Sequence, residues 1–170
     1  MNRITPSSTS TTPIPAHPSP GATPGHALLQ AFAGSWSFEG RQLESDVGPA
    51  AHITGVERYD WLSGGNFLVH HFHARVGDGK AACIEMIGFD DEANVYPVST
   101  FYDNGETNTW TMRDGTGVWI MNGEWPVAGQ VTHVRCAMVF VEPRVRTCVW
   151  EYAVTGAWRP FWELRAMSIT

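Results

Sequence analysis

VYPVSTFYDNGETNTWTMRDGTGVWIMNGE, residues 95–124, decides the fold. It holds three strand-length segments, 95–102, 106–113 and 117–124, rich in aromatic and β-branched residues. Asp-Asn-Gly and Asp-Gly-Thr separate them, and such turns supply the positive φ angles of tight hairpins. A connection this short can only return the chain beside the strand it left, so the three segments form an antiparallel meander.

The same alternation runs outward in both directions. Strands are expected at 35–44, 51–60, 67–76, 81–89 and 95–102, then at 106–113, 117–124, 130–141, 145–155 and 158–168. Their connections are short throughout: DVGPA, SGG, GDG, DDEAN, DNG, DGT and PVAG, with Pro143 and Gly156 marking the last two. A sandwich needs longer crossovers, and none follows residue 35. The expected fold is therefore all-β: one antiparallel up-and-down barrel of about ten strands. A short helix over His26–Ala33 precedes it, with Leu28, Leu29 and Phe32 as an apolar face plugging one end and Gly34 as its stop.

Composition sets the limits. Of 170 residues, the first 25 are almost wholly Ser, Thr, Pro, Gly and Ala, too polar to offset the entropy of ordering. They also lack the continuous apolar core of a secretory signal. The expected division is a disordered tail over 1–25 and a barrel domain over 26–170. Eight Trp, eight Phe and four Tyr exceed what one sheet face hides, since each buried ring removes roughly 150–250 Å² from water. A two-sided core or a lined cavity follows. The net charge of −6 comes with no basic cluster, which argues against nucleic acid and anionic membrane as partners. No apolar run reaches the roughly 18 residues of a spanning helix. Cys83, Cys136 and Cys148 are widely spaced and form no CxxC pair, so buried thiols in a reducing cytoplasm are expected.

Period-two alternation assigns some faces. Val134, Cys136, Met138 and Phe140 share one, opposite His133 and Arg135. Cys148, Trp150 and Tyr152 share another, opposite Thr147 and Glu151. In 67–76 both faces carry apolar residues, Leu68 and Phe72 against Phe67 and Val69, and alternation does not choose between them.

GHALLQAFAGSWSFEG (25–40), with a short helix leading into a Gly-x-Trp strand, resembles the opening of the lipocalin-like family catalogued as domain of unknown function 1579. ERYDWLSGGNFLVH, MIGFDDEANVY, FYDNGETNTWTMRDGTGVW and WRPFWELRAMS are similar to later parts of that family, so the resemblance runs from Gly25 to Ser168. It implies a calycin-type barrel with an internal cavity. The family has no defined activity, so no catalytic residue carries over. The haem-binding nitrobindins share the Gly-x-Trp opening, but their haem ligand is a C-terminal histidine and no histidine follows His133 here.

The sharpest local signal is HHFH at 70–73. His71 and His73 share a strand face with Cβ atoms about 6–7 Å apart, the spacing of a His-x-His metal pair. With Gly65 the segment resembles half a cupin motif, but Asp78 stands where the glutamate belongs and the second motif is absent. The alternative is a pair of solvent-facing histidines. His70, on the face of Leu68 and Phe72, is a candidate acid/base partner for Glu85 on the next strand, with Tyr102 as a further catalytic candidate. A carboxyl inside an apolar barrel titrates nearer neutrality, whereas on the outer face it would be ordinary solvated polarity. Phe72, Trp110, Trp119, Trp150 and Arg165 are candidate ligand-binding residues, the tryptophans lining a cavity or filling a core, and Arg165 orienting an acidic group. Trp36 is read as packing over the closed end.

Two functions from different classes follow. The first is binding of a small, mostly apolar or aromatic molecule in the cavity. The second is a small barrel enzyme (isomerase, cyclase or lyase) using His/Glu proton transfer, with no organic cofactor and a divalent metal only if His71 and His73 hold one. A filled, purely structural barrel is a third. Homodimerisation through an exposed strand face is open.

Overall fold

The computed structural model describes residues 23–115 and 117–169. The expected tail falls outside these residues except for its end, where Pro24 and Gly25 already belong to a helix. That helix, α1 (Pro24–Leu28), tightens into a 3₁₀ turn over Leu29–Ala31. The tightening corrects the expected apolar face. Residues three apart eclipse in a 3₁₀ turn, so Leu29 and Phe32 are buried together while Leu28 is left 47% exposed.

Ten strands follow: β1 (Gly34–Gln42), β2 (Ala51–Trp61), β3 (Leu68–Val76), β4 (Gly79–Ile87) and β5 (Tyr96–Tyr102). Then come β6 (Thr107–Asp114), β7 (Val118–Val127), β8 (Gln130–Glu142), β9 (Val145–Val154) and β10 (Ala157–Ser168). Each pairs antiparallel with its neighbours in sequence, and β1 pairs with β10 to close the barrel. The all-β, up-and-down reading is borne out, strand by strand. Gly105, at φ 88° in the β5–β6 turn, adopts the left-handed conformation that hairpin requires.

The helix closes one end. Phe32 packs edge-on against Trp119 and Phe140, ring centroids 5.1 Å apart in each pair, while Tyr96 packs on Trp119 and Trp36 on Phe140. Side chains pin it: Tyr96 Oη donates to Gly25 O at 3.0 Å, and Trp61 Nε1 to Gln30 Oε1 at 2.8 Å. Trp36 Nε1 donates to Phe32 O at 2.7 Å, so Trp36 has the capping place expected of it. Among the described residues no helix is long and apolar enough to cross a membrane. The three thiols are unpaired.

The last strand shows how the wall stays aromatic. A bulge between Pro160 and Trp162 interrupts the register with β9. Proline cannot donate to the ladder, so it sits where the ladder is broken. The extra residue lets Phe161 join Trp162, Leu164 and Ala166 on the inside, leaving Glu163 and Arg165 outside.

Candidate functional site

Register places the polar residues of the interior. Tyr59, His70, Glu85 and Thr100 lie directly opposite one another across β2, β3, β4 and β5. All point inward, because each shares its strand's buried alternation: Ile53 and Tyr59, Leu68 and Ala74, Val98 and Tyr96. Glu57, one pleat from Tyr59, joins them from β2, and Arg146 reaches in from β9.

These side chains form one connected row. His70 Nδ1 donates to Glu85 Oε2 at 2.8 Å, and His70 Nε2 donates to Glu57 Oε2 at 3.1 Å. Glu85 Oε1 accepts from Thr100 Oγ1 at 2.9 Å, and Thr100 Oγ1 accepts from Trp110 Nε1 at 3.1 Å. Arg146 Nη2 donates to Glu57 Oε1, and also to Tyr59 Oη at 3.2 Å. The Tyr59 ring stacks flat on the His70 imidazole, centroids 4.0 Å apart. Arg146 is 2% exposed, with Trp36, Tyr59 and Phe32 rings 5.1–5.5 Å from its guanidinium carbon.

Burial makes each of these charges depend on its partners. Desolvation pushes the Glu57 carboxyl up, but Arg146 and His70 outweigh it and hold the group down at about 2. Desolvation opposes the His70 imidazolium, yet its bonds to Glu57 and Glu85 raise its pKa above the ordinary histidine value. Burial, reinforced by Glu85, raises the Tyr102 hydroxyl and keeps it a protonated donor. The Cys148 thiol is lowered by a hydrogen bond with Cys136 and by Arg146 nearby.

Around the row lies a cavity of about 580 Å³, within the roughly 300–1,000 Å³ of small-molecule sites. Phe38, Phe72, Met112, Met121, Trp150 and Phe161 supply apolar wall. The mouth is at the end opposite the helix, between Asp46, Lys80, Asp103, Glu106 and the β7–β8 turn. Trp110 lies flat enough against β7 that a Cβ on Gly123 would come within 2.3 Å of its ring.

The structure divides the residues singled out in the sequence. It brings His70 and Glu85 into direct contact, and Phe72, Tyr102, Trp110 and Trp150 line the same cavity. Trp119 belongs instead to the plug, packed on Phe32 and Tyr96. Arg165 is on the outer surface, its guanidinium directed to Met167 Sδ at 3.5 Å, because β10 alternation turns it away once Leu164 and Ala166 face in. His71 and His73 are outside too, opposite Ile84 and Ala82 of β4. Among the described residues no group of three His, Cys, Asp or Glu side chains is placed to hold a metal ion.

Sequence reading missed Glu57, Thr100 and Arg146. Arg146 was within reach, since it is two residues from Cys148 on the face assigned to Cys148, Trp150 and Tyr152. Glu57 and Thr100 carried no such signal.

The profile of a family described as protein of unknown function (DUF1579) matches residues 21–155 of the chain. No curated protein matches it. Among solved structures, an S-type phycobiliprotein lyase from Guillardia theta has a similar fold, with a TM-score of 0.56 and 8% identity. The match covers 85% of this chain and 92% of that one, and at such identity it speaks to the fold alone.

Proposed function

The chain belongs to the family described as protein of unknown function (DUF1579), and we propose that this member binds a small, mostly apolar or aromatic molecule inside its barrel. The observation that carries the reading is the cavity itself: about 580 Å³, open at one end, with apolar walls between a charged rim and one inner row of polar groups. Convergent polar groups in an apolar pocket orient a ligand whose burial supplies the affinity. The free thiols fit a reducing, cytoplasmic setting.

A barrel enzyme working by proton transfer is the second reading, favoured by the 2.8 Å His70–Glu85 contact. One feature weighs against it. A general base must present a free lone pair to the substrate, and both His70 ring nitrogens are already spent on carboxylates. The binding reading needs no such free nitrogen.

The test is a titration with N-phenyl-1-naphthylamine, a neutral hydrophobic fluorophore, followed by its emission and by tryptophan quenching. Saturable binding at one per chain in the micromolar range is expected, weakened in Trp110→Ala and Trp150→Ala. A linear, unsaturable signal overturns the proposal.

A further inference from the structure

We infer that the molecule held in the cavity carries a neutral hydrogen-bond-accepting oxygen, a carbonyl or a hydroxyl rather than a carboxylate, which it sets against Arg146. This rests on the binding reading above and specifies the chemistry of the ligand's polar end.

Two observations carry it. The first is that Arg146 lines the cavity with donors to spare. Its Nη2 serves Glu57 and Tyr59, whereas Nε and Nη1 are buried and find no oxygen or nitrogen acceptor among the described residues, only the weakly accepting Cys148 thiol lying beside the guanidinium. A guanidinium carries five N–H donors and accepts nothing, so what satisfies the others must bring an acceptor. Buried donors are seldom left unmatched, so an acceptor from outside the chain, a water or a ligand atom, belongs beside these two.

The second is charge balance. Ionised carboxylates only accept, so a histidine lying between two of them donates from both nitrogens and is an imidazolium. The row then holds two cations, Arg146 and His70, against two anions, Glu57 and Glu85. The Tyr59 hydroxyl that also faces Arg146 is protonated, its pKa raised well above the ordinary value by burial. A ligand carboxylate would add a fifth, uncompensated charge in a buried site, which is strongly disfavoured. A carbonyl or hydroxyl oxygen takes the unused Arg146 donors and leaves the balance intact.

Four naphthalenes of similar size test it on the full chain at neutral pH, by calorimetry or tryptophan quenching. They are 2-acetonaphthone, 2-ethylnaphthalene, 2-naphthoate and 2-naphthylmethylammonium. The ketone is expected to bind at least about tenfold more tightly than the hydrocarbon, the usual worth of a hydrogen bond to a charged donor. Naphthoate should bind more weakly than the ketone by a similar factor. In Glu57→Gln, Arg146 loses its carboxylate, so naphthoate should gain and overtake the ketone. Circular dichroism checks that this variant is folded. If it is not, the ranking in the unmodified protein still decides. If no naphthalene binds, the cavity-binding reading falls and this inference with it. Equal affinities for ketone and hydrocarbon would leave cavity binding standing and remove the role of Arg146. Naphthoate binding tightest to the unmodified protein would overturn the neutral-ligand assignment.

Discussion

His70 and His71 are adjacent in the chain and live in opposite worlds. His70 is 6% exposed, stacked on Tyr59 and held between two carboxylates. His71, like His73, faces outward, where its cross-strand neighbours are Arg58 and Ile84. The rise per residue and the residue type are the same. What differs is which face of β3 the closed barrel turns inward. A histidine inside must be compensated by other strands, while one outside is compensated by water.

That contrast breaks most visibly at the pair anchoring the inner row. Arg146→Met or Glu57→Ala strips one partner from a buried ion pair and leaves the other uncompensated, so each should lower unfolding free energy by about 3–5 kcal/mol in urea denaturation. The double replacement Glu57→Leu with Arg146→Met should recover much of that loss, because no lone charge remains.

A pH series gives the next largest effect. The Glu57 carboxyl sits at about 2 in the folded protein against 4.5 for an unperturbed one. Its contribution is therefore present above 4.5 and lost as pH falls toward 2, worth about 3 kcal/mol. The His70 pKa is raised above 6.5, so its contribution is complete below 6.5 and lost as pH rises through the folded value. Stability from these two groups should peak between pH 4.5 and 6.5. The decline on the alkaline side should vanish in His70→Gln and persist in His71→Ala.

Smaller effects sharpen the comparison between the two faces. His70→Ala leaves two carboxylates short of a donor and should cost about 1–3 kcal/mol at neutral pH. His71→Ala and His73→Ala, which remove only outward imidazoles, should each stay within about 0.5 kcal/mol. A shift of several kcal/mol for either outer variant would show that the outer face carries something it is not here assigned.

Much of the fold was legible because it is written locally. Each hairpin announces itself by its turn residues, and nine of them in succession leave the sheet little choice but to close. The His70–Glu85 pair was legible only as strand adjacency; the turn at 77–78, with Val76 opposite Gly79, then set the register that brings the two side chains together. Trp119 was not separable from Trp110 and Trp150, because a tryptophan filling the plug and one lining the cavity have the same flanking pattern. Arg165 and the pair His71 and His73 point outward by the same alternation that turns Leu164, Ala166 and His70 inward, yet β3 has apolar residues on both faces and gives no local sign of which is which.

The sequence by itself determined the strand count, the antiparallel order and the short helix that plugs one end, because turns, periodicity and neighbouring strands act over a few residues. Only the tertiary structure decided that Arg146 meets Glu57. Those residues are 89 apart in the chain and on strands separated by β10 and β1. Their contact depends on barrel closure, which sets the shear of every strand at once and leaves no trace in any one segment.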